Sequence, residues 1–201
     1  VLAELTRLRQ ICCDPRLCIE GYQDGSAKLE TCLVLVSLAV DAGHKVLVFS
    51  QFASMLDLLA SRLSEAHLSY FQLTGQTSKE ARERLVRRFQ EGEADVFLVS
   101  LKAGGVGLNL TAADVVIHYD LWWNVAAQDQ ATDRAYRIGQ RRDVTVFKLI
   151  CEGTVEERIL KMQESKRGLA ESVLGAEAVR SATLTRDDVL AHLGQASLAQ
   201  G

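Results

Sequence analysis

Apolar residues along the chain follow two different spacings, which predict two kinds of secondary structure. Short segments rich in apolar residues at 45–50, 70–73, 95–99, 115–119 and 144–150 have the length and composition of β-strands. Between them, apolar residues recur every three or four positions, as on the buried side of a helix. Apolar strands that alternate with amphipathic helices predict an α/β domain with a mainly parallel sheet covered on both faces.

Capping residues set the expected helix boundaries. A first helix over 1–12 leads into a polar loop over 13–25, after which Ser26 can cap a helix that Gly43 ends. Capping boxes at 77–80 and 154–157 begin two further helices, the second running to about residue 174. We also expect helices around 55–63, over 125–137 and over 185–193.

Charge and cysteine content narrow the possible functions only slightly. The net charge is −3, so a polyanion site would have to be a local patch. No apolar run approaches the ~18 residues of a membrane span and no secretory start is visible, which favours a cytoplasmic or nuclear protein. The five cysteines form no CxxC pair, so we expect free thiols and no metal site, although four of them could supply thiolates in principle.

A glycine-rich segment follows the predicted strand at 95–99. Glycines let a backbone approach phosphate oxygens closely and present N–H groups to them, and neighbouring side chains add further donors. The pattern alone is weak, and it is not a dinucleotide fingerprint because Leu110 occupies the third glycine position. The glycines are Gly104, Gly105 and Gly107, and the side-chain donors are Ser100, Lys102 and Asn109.

Both tryptophans of the chain, Trp122 and Trp123, lie in the segment 120–124 directly after a predicted strand. One of them is expected to fill the core, whereas a partly exposed indole could stack against a nucleic acid. Because the carboxyl ends of parallel strands carry the ligand sites of such sheets, we expect this segment near Ser50, Gln51 and the glycine-rich loop.

The run 130–140 holds the most specific arrangement of charge. On a helix, Gln130, Arg134 and Arg137 stand at i, i+4 and i+7 and share one face. Two neighbouring guanidinium groups repel each other unless an anion lies between them, and their planar forks suit phosphate. A solvated surface helix is the alternative interpretation.

Taken in order, several segments resemble motifs IV to VI of the Swi/Snf family, double-stranded-DNA translocases of helicase superfamily 2. The segments are 45–52, 74–77 with Arg82, 100–110, 120–124 and 130–140, and 5–15 and 153–175 look like that family's flanks. The resemblance implies the second RecA-like lobe, a three-layer α/β domain at 26–153. It also implies a flanking helix and loop at 1–25, and a brace helix and helical tail at 154–201. Val125 and Leu121 depart from the prolines or small polar residue that the family often has there.

The resemblance also implies residue roles. Arg134 and Arg137 would be arginine fingers of an ATPase, with Gln130 orienting a finger or the attacking water, and Gly104, Gly105 and Gly107 would face the nucleotide. The chain holds neither a GxxxxGK[ST] loop nor an Asp-Glu box, so ATP and Mg²⁺ would be held mainly by a first lobe elsewhere, and this chain alone should be inactive. The implied DNA contacts are Ser50, Gln51, Ser100, Lys102, Asn109, Trp122, Trp123 and Asn124.

Partners follow from the same resemblance: duplex DNA, the first lobe of the same protein, and RNA polymerase or another nucleoprotein complex, with no membrane. The tail after Gly175 is rich in alanine and leucine and looks like bacterial members, which would place the protein in the cytoplasm with the nucleoid; a eukaryotic member would be nuclear. Two alternatives stay open: a lobe of an RNA-directed superfamily 2 helicase, and a non-catalytic protein-docking lobe.

Overall fold

A parallel sheet organises the chain. The computed structural model describes residues 2–101, 110–122, 124–133, 135 and 143–174, and within them five strands pair in the order β2-β3-β1-β4-β5. Every pairing is parallel, with Ser50 of β1 in register with Ser100 of β3 and Phe49 with His118 of β4. The strands are β1 (Val46–Ser50), β2 (Tyr70–Leu73), β3 (Val96–Ser100), β4 (Val115–His118) and β5 (Thr145–Lys148).

Helices cover the sheet. The described helices are α1 (Leu2–Cys13), α2 (Ala27–Asp41), α3 (Ala53–Glu65), α4 (Lys79–Gln90), α5 (Val125–Thr132) and α6 (Val155–Leu174), with a short 3-10 helix at Pro15–Leu17. None of the described helices is both long enough and apolar enough to cross a membrane.

The two faces of the sheet bury two separate apolar clusters. Val46 and Val48 of β1 join the cluster formed with α2 and α3, whereas Leu47 and Phe49 join the cluster on the opposite face, which includes Phe89 of α4. Side chains alternate between faces along a strand, so a continuous apolar run such as 46–49 serves both layers. The result is the three-layer RecA-like α/β architecture that the sequence predicts.

The predicted elements that fall within the described residues form where the sequence places them, with small shifts at their ends except in α5, and the helix predicted over 185–193 lies outside the described residues. Ser26 accepts a hydrogen bond from Leu29 N at 3.3 Å and caps α2, and Gly43 follows that helix with φ 77°, as a helix-ending glycine does. The expected capping box at 77–80 is wrong by one residue. Ser78 caps α4 through Ala81 N at 3.2 Å, while Thr77 Oγ1 accepts from Thr74 N in the preceding turn.

The predicted helix over 125–137 is wrong at its end, because α5 stops at Thr132. Asp133 N still donates to Asp129 O at 2.8 Å, but Ala135 N donates to Thr132 O at 3.0 Å, a tighter bond three residues back. The helical spacing used to place Arg134 and Arg137 on the face of Gln130 therefore has no support beyond Thr132. Both arginines lie outside the described residues.

Candidate functional site

Three of the segments singled out in the sequence meet at the carboxyl edge of the sheet. Ser50 ends β1, Ser100 ends β3 in the same register, and the segment 119–122 follows β4 on the other side of β1. Because β1 lies between β3 and β4, its extension 50–52 is the middle of this edge. Crevices at such edges are where open α/β sheets bind ligands.

A buried carboxylate organises the edge. Asp120 has no exposed surface, and it accepts hydrogen bonds from Ser50 Oγ at 2.6 Å, Gln51 N at 3.1 Å and Gln51 Nε2 at 2.9 Å. Burial raises the pKa of Asp120, while the bonds from Ser50 and Gln51 and the charge of Arg9 act against that rise. The carboxylate thus ties the residues that follow β1 to those that follow β4.

Arg9 of α1 completes this cluster from the other side. Its Nη1 donates to Gln51 Oε1 at 3.3 Å. Its Nη2 donates to the carbonyl oxygen of Leu121 and also lies 3.5 Å from Asp120 Oδ2. The guanidinium carbon also stands 5.6 Å from the ring centroid of Phe52. Only 3% of Arg9 is exposed, so its charge has little contact with water. Asp120 supplies the opposite charge inside the lobe.

Neither Arg9 nor Asp120 was among the predicted site residues. Arg9 stands four positions after Leu5, which is buried, so both lie on the buried face of α1. An arginine on an apolar helix face needs a buried partner, and that pattern could have marked it. Asp120 is the first polar residue after the β4 apolar run, at the position where sheet ligands gather.

A pocket of about 720 Å³ opens between the carboxyl ends of β1, β2 and β3. Asp57 contributes a charged side chain to the lining, and its Oδ1 accepts from Gln72 Nε2 at 2.7 Å. The helix α3 begins at the pocket with Phe52 as N-cap and no side-chain cap hydrogen bond. Met55 N donates to Phe52 O at 3.1 Å, which leaves the amides of Ala53 and Ser54 to face the pocket that these two residues line. Free amides and the positive end of a helix dipole suit an oxygen anion. The lining residues are Gln51, Phe52, Ala53, Ser54, Asp57, Gln72, Thr74, Gly75, Gln76 and Ser100.

The predicted DNA contacts differ in how much surface they offer. Ser50 and Ser100 are buried, so their side chains have little surface for a ligand in this conformation, whereas Gln51, Trp122 and Asn124 are half-buried. Trp122 packs against the cluster that contains Phe49. The roles of these residues stay predictions. The predicted residues outside the described part of the chain are Lys102, Gly104, Gly105, Gly107, Asn109, Trp123, Arg134 and Arg137.

The helix α5, which leads toward the two arginines in sequence, is held to the sheet by side-chain bonds. Gln128 Oε1 accepts from Trp122 N at 3.1 Å, and His118 Nε2 of β4 lies 2.8 Å from Thr132 Oγ1. The His118 ring stacks on Phe49 with centroids 5.6 Å apart, and burial lowers the pKa of His118 to about 4. Gln130 points from this helix with an exposed side chain. A neutral imidazole therefore fixes the last turn of α5.

The start of α6 is anchored by a buried ion pair. Lys28 Nζ of α2 donates to Glu156 Oε1 at 2.6 Å, and Glu156 Oε2 accepts from Cys151 N at 2.9 Å. The five cysteines are free thiols, and no group of three or more potential metal ligands occurs among the described residues. This anchor joins α6 to the lobe, and the charge of Lys28 also acts to lower the pKa of Asp120.

Comparison with known proteins gives one consistent result. Residues 27–139 match the family described as the helicase conserved C-terminal domain. The chain is 44% identical over 183 residues, 88% of its length, to the "putative ATP-dependent helicase/translocase YwqA" of Bacillus subtilis, of which it covers 20%. It is 41% identical over 175 residues, 87% of its length, to the "chromatin-remodeling ATPase INO80" of Homo sapiens, of which it covers 11%.

Solved structures agree with the sequence relatives. The "SWI2/SNF2 ATPase core in complex with dsDNA" of Sulfolobus solfataricus superposes with a TM-score of 0.73 at 34% identity, covering 96% of this chain and 39% of that one. The same core without DNA gives a TM-score of 0.73 at 36% identity, over 90% of this chain and 38% of that one. The chain spans about a fifth or less of the length of the curated relatives named above.

Proposed function

Because the chain belongs to the helicase conserved C-terminal domain family, in its Swi2/Snf2 branch, we propose that it is the second motor lobe of an ATP-dependent translocase of double-stranded DNA. The observation that carries the proposal is the match of 96% of this chain to an ATPase core whose structure holds duplex DNA. ATP with Mg²⁺ binds mainly to a first lobe outside this chain. The present lobe closes over the nucleotide.

Arg134 and Arg137 act as the arginine fingers. This assignment rests on the resemblance of 130–140 to the family's motif VI, since the helical spacing beyond Thr132 gives it no support. A guanidinium delivered to the γ-phosphate stabilises the charge that develops as the phosphoryl group moves to water, an effect worth ~10³–10⁵ in rate. Gln130, exposed on α5, orients a finger or the water, and Gly104, Gly105 and Gly107 let the backbone approach the nucleotide.

Duplex DNA lies along the carboxyl edge of the sheet. The pocket at this edge is lined mostly by neutral polar groups and by the start of α3, which suits a backbone phosphate. It is also lined by one carboxylate, Asp57, which Gln72 Nε2 pairs at 2.7 Å and which would repel a phosphate placed beside it. Gln51, Lys102, Asn109, Trp122, Trp123 and Asn124 form the contact surface, and Ser50 and Ser100 support it from below. Binding through phosphates makes the affinity nearly independent of sequence and steeply dependent on salt.

The test is ATP turnover by the full-length protein with and without duplex DNA. Arg134→Ala should lower kcat by ~10³-fold or more while the affinity for DNA changes by less than about three-fold, because a finger acts on the transition state and not on DNA. Arg87→Ala removes an exposed arginine of α4 and is the matched control, expected to keep wild-type turnover. Turnover by Arg134→Ala within ten-fold of wild type would end the finger assignment.

The same assay separates the alternatives. Stimulation by single-stranded RNA in place of duplex DNA would identify an RNA-directed motor, and the absence of any ATP turnover in the full-length protein would favour a docking lobe. The 201-residue chain alone should hydrolyse no ATP with or without DNA, since the phosphate loop and the Asp-Glu box lie on the first lobe. No described observation favours either alternative over the duplex-DNA motor.

A further inference from the structure

The guanidinium of Arg9 reaches two chain segments that the proposed DNA surface needs side by side. Nη1 donates to Gln51 Oε1 at 3.3 Å, in the segment after β1, and Nη2 donates to the carbonyl oxygen of Leu121, in the segment after β4. Gln51 Nε2 donates to that same carbonyl at 2.7 Å. One planar side chain thus spans both segments, which a single ammonium could not do in the same geometry.

The charge of Arg9 also has a partner that requires it. Asp120 is fully buried, and a carboxylate without a nearby cation is costly in such surroundings. Arg9 Nη2 lies 3.5 Å from Asp120 Oδ2, and the same carboxylate receives Ser50 Oγ at 2.6 Å. Removing the guanidinium leaves an uncompensated charge between the two segments, so their spacing should change.

The backbone that carries Arg9 is itself fixed to the lobe. The carbonyl oxygen of Cys13, at the end of α1, accepts from Tyr119 Oη at 2.9 Å and from Ser26 Oγ at 3.0 Å. Cys151 Sγ donates to Cys12 O at 3.3 Å. These bonds hold α1 in place without the help of Arg9, so the guanidinium is aimed at the edge by helix docking.

The geometry points to Arg9 as a positioning residue for DNA binding, which holds segment 50–52 against segment 120–122 so that α1 sets the DNA affinity of the lobe. This inference rests on the proposed function. Gln51 and Phe52 line the pocket at the carboxyl edge, and Trp122 follows Leu121 directly, so a shift between the segments moves the contact surface. Arg9 itself is 3% exposed and does not contact the ligand.

The first experiment measures structure without relying on ATP or DNA. Both tryptophans of the chain are at 122 and 123, so tryptophan emission and acrylamide quenching of the 201-residue chain report on this segment. Arg9→Met should change both. Arg16→Met is the matched control: it also breaks an arginine–carboxylate pair, with Asp14 at 2.6 Å, on the same flank but away from the edge. Unchanged emission in Arg9→Met, or an equal change in Arg16→Met, would overturn the inference.

The second experiment measures DNA-dependent ATP turnover by the full-length protein. Arg9→Met should raise the DNA concentration for half-maximal stimulation at least ten-fold, and Arg9→Lys should give a smaller rise because lysine restores the charge without the planar fork. Asp120→Asn should raise the DNA concentration for half-maximal stimulation by a similar factor. The double variant Arg9→Met with Asp120→Asn should raise it little more than either single change, since both changes disturb the same cluster.

Each outcome of this second experiment has one meaning. A half-saturation point within two-fold of wild type in Arg9→Met, an equal rise in Arg16→Met, or fully multiplicative effects of Arg9→Met and Asp120→Asn would refute the positioning role alone. If the wild-type full-length protein shows no DNA stimulation, the proposed function fails and this inference fails with it, while the tryptophan measurement still reports whether Arg9 orders the edge.

Discussion

Replacing His118 by glutamine should remove a defined part of the pH dependence of stability. His118 has no exposed surface, its Nε2 lies 2.8 Å from Thr132 Oγ1, and its Nδ1 is a buried atom without a hydrogen-bond partner. A protonated ring would add a charge, and its Nδ1–H would be a buried donor without a hydrogen-bond acceptor. Burial therefore lowers the pKa of His118 from 6.5 to about 4, with a smaller contribution from the charge of Lys148.

The direction of the effect follows from which state binds the proton. The unfolded chain protonates His118 as the pH falls through about 6.5, whereas the folded chain does so only near pH 4. Between these values the unfolded state binds more protons, so the stability contributed by the neutral ring is complete above the unfolded pKa and is lost as the pH falls toward the folded one. From pH 7 to pH 5 the loss amounts to roughly 2 kcal/mol, at about 1.4 kcal/mol for each unit of difference in pKa.

The assay is urea unfolding of the 201-residue chain at pH 7 and pH 5, followed by circular dichroism. For each protein, the free energy of unfolding at pH 5 is subtracted from that at pH 7. The loss in wild type minus the loss in His118→Gln gives the contribution of His118, because the other titratable groups contribute equally to both proteins. His67→Asn is the control: it removes an exposed histidine at φ 56°, which asparagine tolerates, and should keep the wild-type difference since His118 is intact. A His118→Gln chain that loses as much stability as wild type between pH 7 and pH 5 would refute the reasoning.

Two further perturbations test contacts that hold the lobe together. Glu156→Gln should lower the free energy of unfolding by about 3–5 kcal/mol because it leaves buried Lys28 without a counter-charge. The double change Lys28→Met with Glu156→Leu should lower it far less. Equal losses of the two variants in urea titrations would contradict this prediction. Ser26→Ala should cost about 2 kcal/mol and exposed Ser78→Ala about 1 kcal/mol, since Ser26 caps α2 and also donates to a buried carbonyl. Thermal or urea unfolding measures the two stability losses, and a larger loss in Ser78→Ala than in Ser26→Ala would contradict the prediction.

The centre of the sheet could be predicted from the sequence because β1, β3 and β4 are short and each holds at least three consecutive apolar residues. A run such as 46–49 has no polar position to face water, so it indicates burial on both sides, and the glycine and serine residues around it limit where each element ends. Local capping chemistry placed α2 correctly, since Ser26 bonds only three residues away. Apolar strands and helix caps depend on residues that are neighbours in sequence, so the sequence alone is enough to predict them.

The site could be predicted only in part, because its main contacts join distant positions. Arg9 and Asp120 are 111 residues apart, and nothing local in either segment indicates the other. The end of α5 was also predicted wrongly. Its last residue, Thr132, lies 2.8 Å from His118 Nε2 of β4, a contact that helical spacing within 125–137 cannot indicate. The family resemblance implies Ser50 as a DNA contact, a role that stays a prediction, and the sequence did not indicate that its hydroxyl donates to Asp120.

The central place of β1 has a consequence for synthesis. Its partners in the sheet are β3 and β4, which begin at Val96 and Val115, whereas β1 is complete at Ser50. At ~5–20 residues per second, ~2–9 s pass before the first residue of β3 is even made. The intervening strand β2 cannot help, since it pairs with β3 and not with β1. The nascent polypeptide therefore carries an unpaired strand with four consecutive apolar residues, 46–49, through that interval. A chaperone that holds unfolded chains would matter most while this stretch is translated slowly.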